Sequence, residues 1–295
     1  AGLLALLALQ EVERGALSPD AAPIASAWPA FGEGGKGGHT LTMLLSHRSE
    51  LTPELPPHAT IDSVTNSNEM IAKVAASSVF TVEDAGRGVY GGAPFGWGLA
   101  GLLGATSGER IDALLDGRLG APLGVHDELV LALRTDEQEL RSVQHSVSGL
   151  AGGEAEMMLA AVLPTEEGAA DGGDVRHAVR ALLEKLISPS SLNLRTMRRA
   201  LLPGASAHAS AHALARVYDA GGSGVLLQTA TRPEAAASTV PGVLGGDEVT
   251  WALGLQLGRA VAANGTSYAA FGHRAACGAA AGVCVPELGI SVAVT

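Results

Sequence analysis

The stretch from about residue 245 to the C-terminus constrains the fold most, because the hydrophobic period changes there. Short apolar runs cover Trp251 to Gly258, Ser267 to His273, Ala279 to Val285 and Ile290 to Val294. Asn264-Gly265, Gly278 and the segment Pro286 to Gly289 separate them. Alternating runs joined by turn residues predict an antiparallel meander with hairpins. The chain before it is patterned for helices. A helical block followed by strands predicts an α+β architecture, an antiparallel sheet flanked by helices plus a mostly helical subdomain.

The spacing of apolar residues predicts helices over 69–76, 94–106 and 109–119, and again over 153–162, 175–186 and 208–218. Thr40 reads as the cap of a helix running to His47. Residues 17–20 read as a turn, the glycine-rich stretch Gly32 to Gly38 as a flexible loop, 53–68 as a Pro-rich polar loop, and 165–173 as an acidic surface loop. The apolar N-terminal run from Ala1 to Gln10 is too short to span a membrane and has no basic flank before it. It reads as a buried helix stopped at Gly15, entered part-way along. One unit over 1–295 is expected, with a mostly helical region at about 40–220 and strands at about 245–295.

Ala, Leu, Val and Gly carry the 47% hydrophobic content, while aromatic residues make up 3%, so packing must rely on small side chains at close quarters. A net charge of -11 argues against a nucleic-acid partner, whose phosphates demand clustered Lys and Arg, and leaves no basic patch for anionic lipid. Solubility is the main consequence of that charge. No metal is expected, because the nine histidines and two cysteines never fall at ligand spacing, and no cofactor motif is present. The glycines at 34, 35, 37 and 38 are not followed by the Lys-Ser/Thr of a phosphate loop. Cys277 and Cys284 either meet across a hairpin and oxidise or are two buried small hydrophobes; the second reading is preferred.

Three short motifs stand out: Tyr90-Gly91-Gly92, then Phe95-Gly96-Trp97-Gly98, then Phe271-Gly272-His273-Arg274-Ala275. They surround an absence. The three lysines, Lys36, Lys73 and Lys185, follow Glu33, Met70 and Leu182 at three positions' distance, so no Ser-x-x-Lys pair exists. In acyl-transfer sites of that kind a neutral lysine takes the proton of the serine hydroxyl, which is a weak nucleophile alone. No Gly-x-Ser-x-Gly elbow replaces it, although a triad drawn from distant residues stays open.

With these motifs the chain resembles the beta-lactamase-related serine hydrolases, a group of class C beta-lactamases, penicillin-binding proteins and esterases. Within that group it looks most like the domain that follows an atypical kinase-like domain of the ubiquinone-biosynthesis type in plant and algal proteins. The resemblance also rests on Gly15 to Asp20, Trp28 to Gly32, Leu44 to Leu51, Ala121 to Val125, Leu192 to Pro203, His208 to Tyr218 and Trp251 to Gly254.

It implies a transpeptidase-like fold truncated at both ends, with the Ser-x-x-Lys at or just before Ala1. It implies that Tyr90 and His273 are catalytic positions of an incomplete or vestigial site, and that Gly92, Arg274 and Ala275 line the place for substrate. Gly92 stands where many relatives carry asparagine, Arg274 where they carry Thr or Ser, and Ala275 where they carry glycine. His47 matches a structural histidine beside the site, and His208 and Arg216 match positions on a helix near the pocket. A small ester or amide substrate, a kinase-like neighbouring domain and an organellar setting (plastid or mitochondrion) are further implications. Three readings follow: a serine hydrolase whose nucleophile lies upstream, a non-catalytic binding or positioning relative, and an enzyme with another nucleophile.

Overall fold

The computed structural model describes residues 1–49, 51, 59–79, 86–143, 192–233, 236, 239–244, 247–275 and 280–295. The expected helices at 153–162 and 175–186, the loop at 165–173 and Cys277 lie outside the described residues.

The predicted N-terminal helix forms as α1 (Gly2–Glu13). Its Leu and Ala side chains are apolar on every face, so it can only sit inside the molecule, and Leu4 to Leu9 are almost fully buried. Gly15 stops it in the left-handed region at φ +74°, while Ala16 N–H returns to the Glu11 carbonyl. Two short helices follow, α2 (Ile24–Ala27) and α3 (Leu41–Leu45). Thr40 caps the latter by accepting from Met43 N–H.

The stretch at Gly32 to Gly38, expected to be loose, carries part of a 3-10 turn over Pro29–Gly35 and is anchored by Lys36. That ammonium is buried and donates to the carbonyls of Glu33 and Ser77. The expected loop at 53–68 is corrected in its second half to α4 (Ile61–Thr65), followed by α5 (Ser67–Ala76). Polar residues there are caps: Thr60 and Ser63 form a capping box, and Asn66 accepts from Glu69 N–H.

The long apolar helix α6 (Gly92–Ser107) packs on α1 and α5, and α7 (Ile111–Leu115) continues into a π turn at Asp116–Gly120. Beyond them come α8 (Asp136–Arg141), α9 (Arg195–Arg199) and α10 (Ala211–Ser223). Arg195 and Arg199 each pair with Asp136 and Glu139, which ties α9 to α8. Strand β2 (Leu129–Val130) pairs with β3 (His208–Ala209). The helix expected from His208 therefore begins three residues later, after the Ser210 cap, because His208 is held in a ladder.

The remaining strands make one sheet: β1 (Gly88–Val89), β4 (Val240–Leu244), β5 (Asp247–Ala252), β6 (Leu255–Val261), β7 (Ser267–Arg274), β8 (Ala281–Val285) and β9 (Ile290–Val294). Its order is β1-β4-β5-β6-β7-β8-β9, with β1 parallel to β4 and every other pairing antiparallel.

The run Trp251 to Gly258, expected as one strand, is two. Leu253 (φ +49°) and Gly254 (φ +84°) form a two-residue hairpin between β5 and β6. Leu255, Phe271 and Cys284 join one core with the leucines of α1 and with Val217 and Tyr218 of α10. On β9 the alternate residues Ile290, Val292 and Val294 stay exposed. The expected α+β architecture, sheet with flanking helices and a helical region, is the one observed.

Candidate functional site

The site forms where α1, the β1–α6 junction and the ends of β5 and β7 meet. His47 follows α3 in a left-handed conformation, φ +56°, which β-carbon sterics disfavour. Val89 N–H donates to its carbonyl, and its ring Nδ1 accepts from Gly91 N–H at 3.3 Å. One bend thus locks α3 to the β1–α6 turn that carries Tyr90.

Tyr90 and His273 lie far apart in sequence, yet their rings approach to 6.1 Å. Trp251 stacks on Tyr90 at 5.9 Å and lies 4.5 Å from His47 and 5.9 Å from His273. His47 also sits 4.8 Å from Tyr90 and 4.3 Å from Phe95. The first turn of α1 runs beneath this cluster. A β-carbon on Gly2 would stand 2.4 Å from the Tyr218 hydroxyl and 2.8 Å from His273 Cβ, so only glycine fits. Ala1 packs against Tyr90, Val240, Leu244 and Trp251.

Burial dominates the electrostatics. It lowers the His47 pKa to about 3. His273 is lowered well below its ordinary value, first by burial and then by the proximity of His47 and Arg274. Tyr218 is raised by burial and by the proximity of Tyr90. Because His47 Nδ1 is an acceptor, the proton of its neutral ring belongs on Nε2. His47 Nε2, His273 Nε2 and Trp251 Nε1 are all buried with no hydrogen-bond partner. Buried polar atoms are ordinarily paired, so three unpaired nitrogens in one ring cluster single it out as a candidate place for a ligand or a further segment.

The sequence-predicted residues sort as follows. Tyr90 and His273 come together. Gly92 opens α6 at φ +46°, with nothing within 4 Å of where a side chain would begin. Arg274 is paired with a carboxylate: its Nη2 donates to the Leu244 carbonyl and to Asp247 Oδ2, both at 2.7 Å. Ala275 gives its N–H to the Ala280 carbonyl at 2.8 Å.

The resemblance implies an edge strand for the third motif. β7 instead lies between β6 and β8, and only beyond Gly272 does its ladder with β6 end. There Arg274 N–H meets Gln256 Oε1 at 3.4 Å. His208 and Arg216 serve structure, His208 within β3 and Arg216 donating to the Leu123 carbonyl. Tyr218, Asp247 and Gln256 carry no sequence signal of their own. The only hint was a tyrosine in an otherwise small-residue helix.

Two depressions, of about 200 Å³ beside Ser67, Gly101 and Ile111 and about 240 Å³ beside Leu17 and Ile24, lie away from these rings. Among the described residues no group of acidic, His and Cys side chains could hold a metal ion, and no helix is long and apolar enough to cross a membrane. The rings supply hydrogen-bond donors and proton carriers; a Ser-x-x-Lys pair is absent from the sequence.

None of the curated proteins matches the chain. Among solved structures, a penicillin-binding protein homolog from Caulobacter crescentus superposes with TM-score 0.73 at 23% identity, covering 99% of this chain and 74% of that one. EstA from Arthrobacter nitroguajacolicus Rue61a is similar at TM-score 0.72 and 23% identity, covering 99% and 75%. A family VIII carboxylesterase follows at 0.74 and 19%, covering 99% and 74%. These likenesses establish the fold. The sequence model of the beta-lactamase family matches residues 2–295, and the chain belongs to that family.

Proposed function

We propose that the domain is built for acyl transfer of the serine-hydrolase kind, on a small ester or amide, and that this chain as it stands does not perform it. The observation that carries the reading is the convergence of Tyr90 and His273 over the first turn of α1, their rings 6.1 Å apart. A phenol and a neutral imidazole so placed can pass protons and hold a carbonyl oxygen. The nucleophile and its base belong, on this reading, on chain preceding Ala1. Solved relatives described as an esterase and a D-amino acid amidase share the fold and are consistent with ester or amide chemistry.

A second reading is a non-catalytic relative that binds or positions a neighbouring kinase-like domain. It is favoured by the commitment of Ala275 N–H to Ala280 and by the missing side chain at Gly92. The test is a fluorescent fluorophosphonate applied to this chain and to the protein encoded with its upstream sequence. The chain alone stays unlabelled. Labelling of the longer protein, slowed by Tyr90→Phe, supports the first reading; a longer protein that carries no Ser-x-x-Lys and takes no label supports the second.

A further inference from the structure

We infer that the site selects uncharged carbonyl compounds, neutral esters and amides, over ligands that carry a carboxylate, because the guanidinium on its third-motif strand is already committed. The inference rests on reading the ring cluster as a ligand site.

Arg274 sits immediately after His273, where a free guanidinium would clamp a carboxylate in bidentate fashion. Its Nη2 is instead held by Asp247 Oδ2 and by the Leu244 carbonyl, which fastens the ends of β4 and β5 to the end of β7. The carboxylate of Asp247 cancels the charge that an anionic ligand would need. Arg87 pairs with Glu248 at 3.1 Å in the same way.

Among the described residues the cluster itself adds no cation. His47 and His273 are kept neutral by burial. What remains are neutral donors: the buried Nε2–H of His47, and Arg274 N–H, engaged only at 3.4 Å by Gln256. A carbonyl oxygen needs donors and no counter-ion. A carboxylate would surrender its hydration without one.

The experiment compares phenylacetamide with phenylacetate, alike in shape and different in charge, by titration calorimetry of the folded chain at pH 8. The ring ¹⁵N signals of His47 and His273 report whether binding is at the cluster. The amide binds at least about tenfold more tightly, and both histidine signals move. Asp247→Ala releases Arg274 and tightens phenylacetate about fivefold, leaving phenylacetamide within about twofold. Asp247→Asn, which keeps the side-chain shape, shows the same direction. Wild-type protein that binds phenylacetate as tightly as the amide overturns the selection, as does an Asp247→Ala protein with an unchanged preference. If neither compound binds and the histidine signals stay still, the reading of the cluster as a ligand site falls, and the selection falls with it.

Discussion

The core around α1 and the ring cluster above its first turn are both buried, yet they are buried for different reasons. Along α1, Leu4 to Leu9 are packed among leucines of α6 and α7, and the buried charge, Glu11, is answered by Arg118. In the cluster, His47 Nε2, His273 Nε2 and Trp251 Nε1 are left unanswered. Apolar packing is complete in itself, whereas unpaired donors cost free energy unless a ligand or a further segment meets them. Folding stability is therefore concentrated below the first turn of α1, and chemical potential above it.

The sharpest way to break that contrast is to remove one partner of the buried pair. Arg118→Ala leaves the buried Glu11 with only the exposed Arg14 at 4.0 Å and is expected to cost about 3–5 kcal/mol in urea unfolding. Leu6→Ala, in the middle of α1, should cost about 2–5 kcal/mol by the same measurement. A loss below about 1 kcal/mol for either would mean that α1 is not the central support.

Acid sharpens the comparison from the other side. His47 has a folded pKa of about 3 against an ordinary 6.5. Between those values the unfolded chain holds a proton that the folded one refuses, so stability is complete above pH 6.5 and declines as pH falls toward 3. The slope should approach about 1.4 kcal/mol per pH unit for this one group. His47→Gln should flatten it, read from unfolding midpoints across pH 7 to 4.

The smallest effect is expected at Gly92. Its open surroundings admit a side chain, but φ +46° strains one. Gly92→Ala should cost about 1–2 kcal/mol and Gly92→Asn less, since asparagine tolerates the left-handed region.

Much of this contrast was legible in the sequence. Gly15 announced the end of α1, Thr40 the start of α3, and the turn residues of the last third announced the meander. Tyr90 and His273 were singled out by their motifs, and their rings do approach each other. What escaped was set by distance or by backbone conformation. Leu253 adopts a left-handed turn that a leucine does not advertise, so β5 and β6 read as one run. His47 bends at φ +56° where a helix pattern predicts continuation. The pairing of Arg274 with Asp247 and the approach of Tyr218 to Gly2 are tertiary contacts between elements that no local pattern joins.

The most direct measurement is a long-range ¹H–¹⁵N correlation spectrum of the histidine rings followed from pH 8 to pH 4. The account predicts neutral rings for His47 and His273 throughout, with the His47 proton on Nε2 and Nδ1 seen as a bare acceptor. Titration of either ring near pH 6.5 would contradict it, because the cluster would then be an ordinary solvated surface rather than a buried, unsatisfied site.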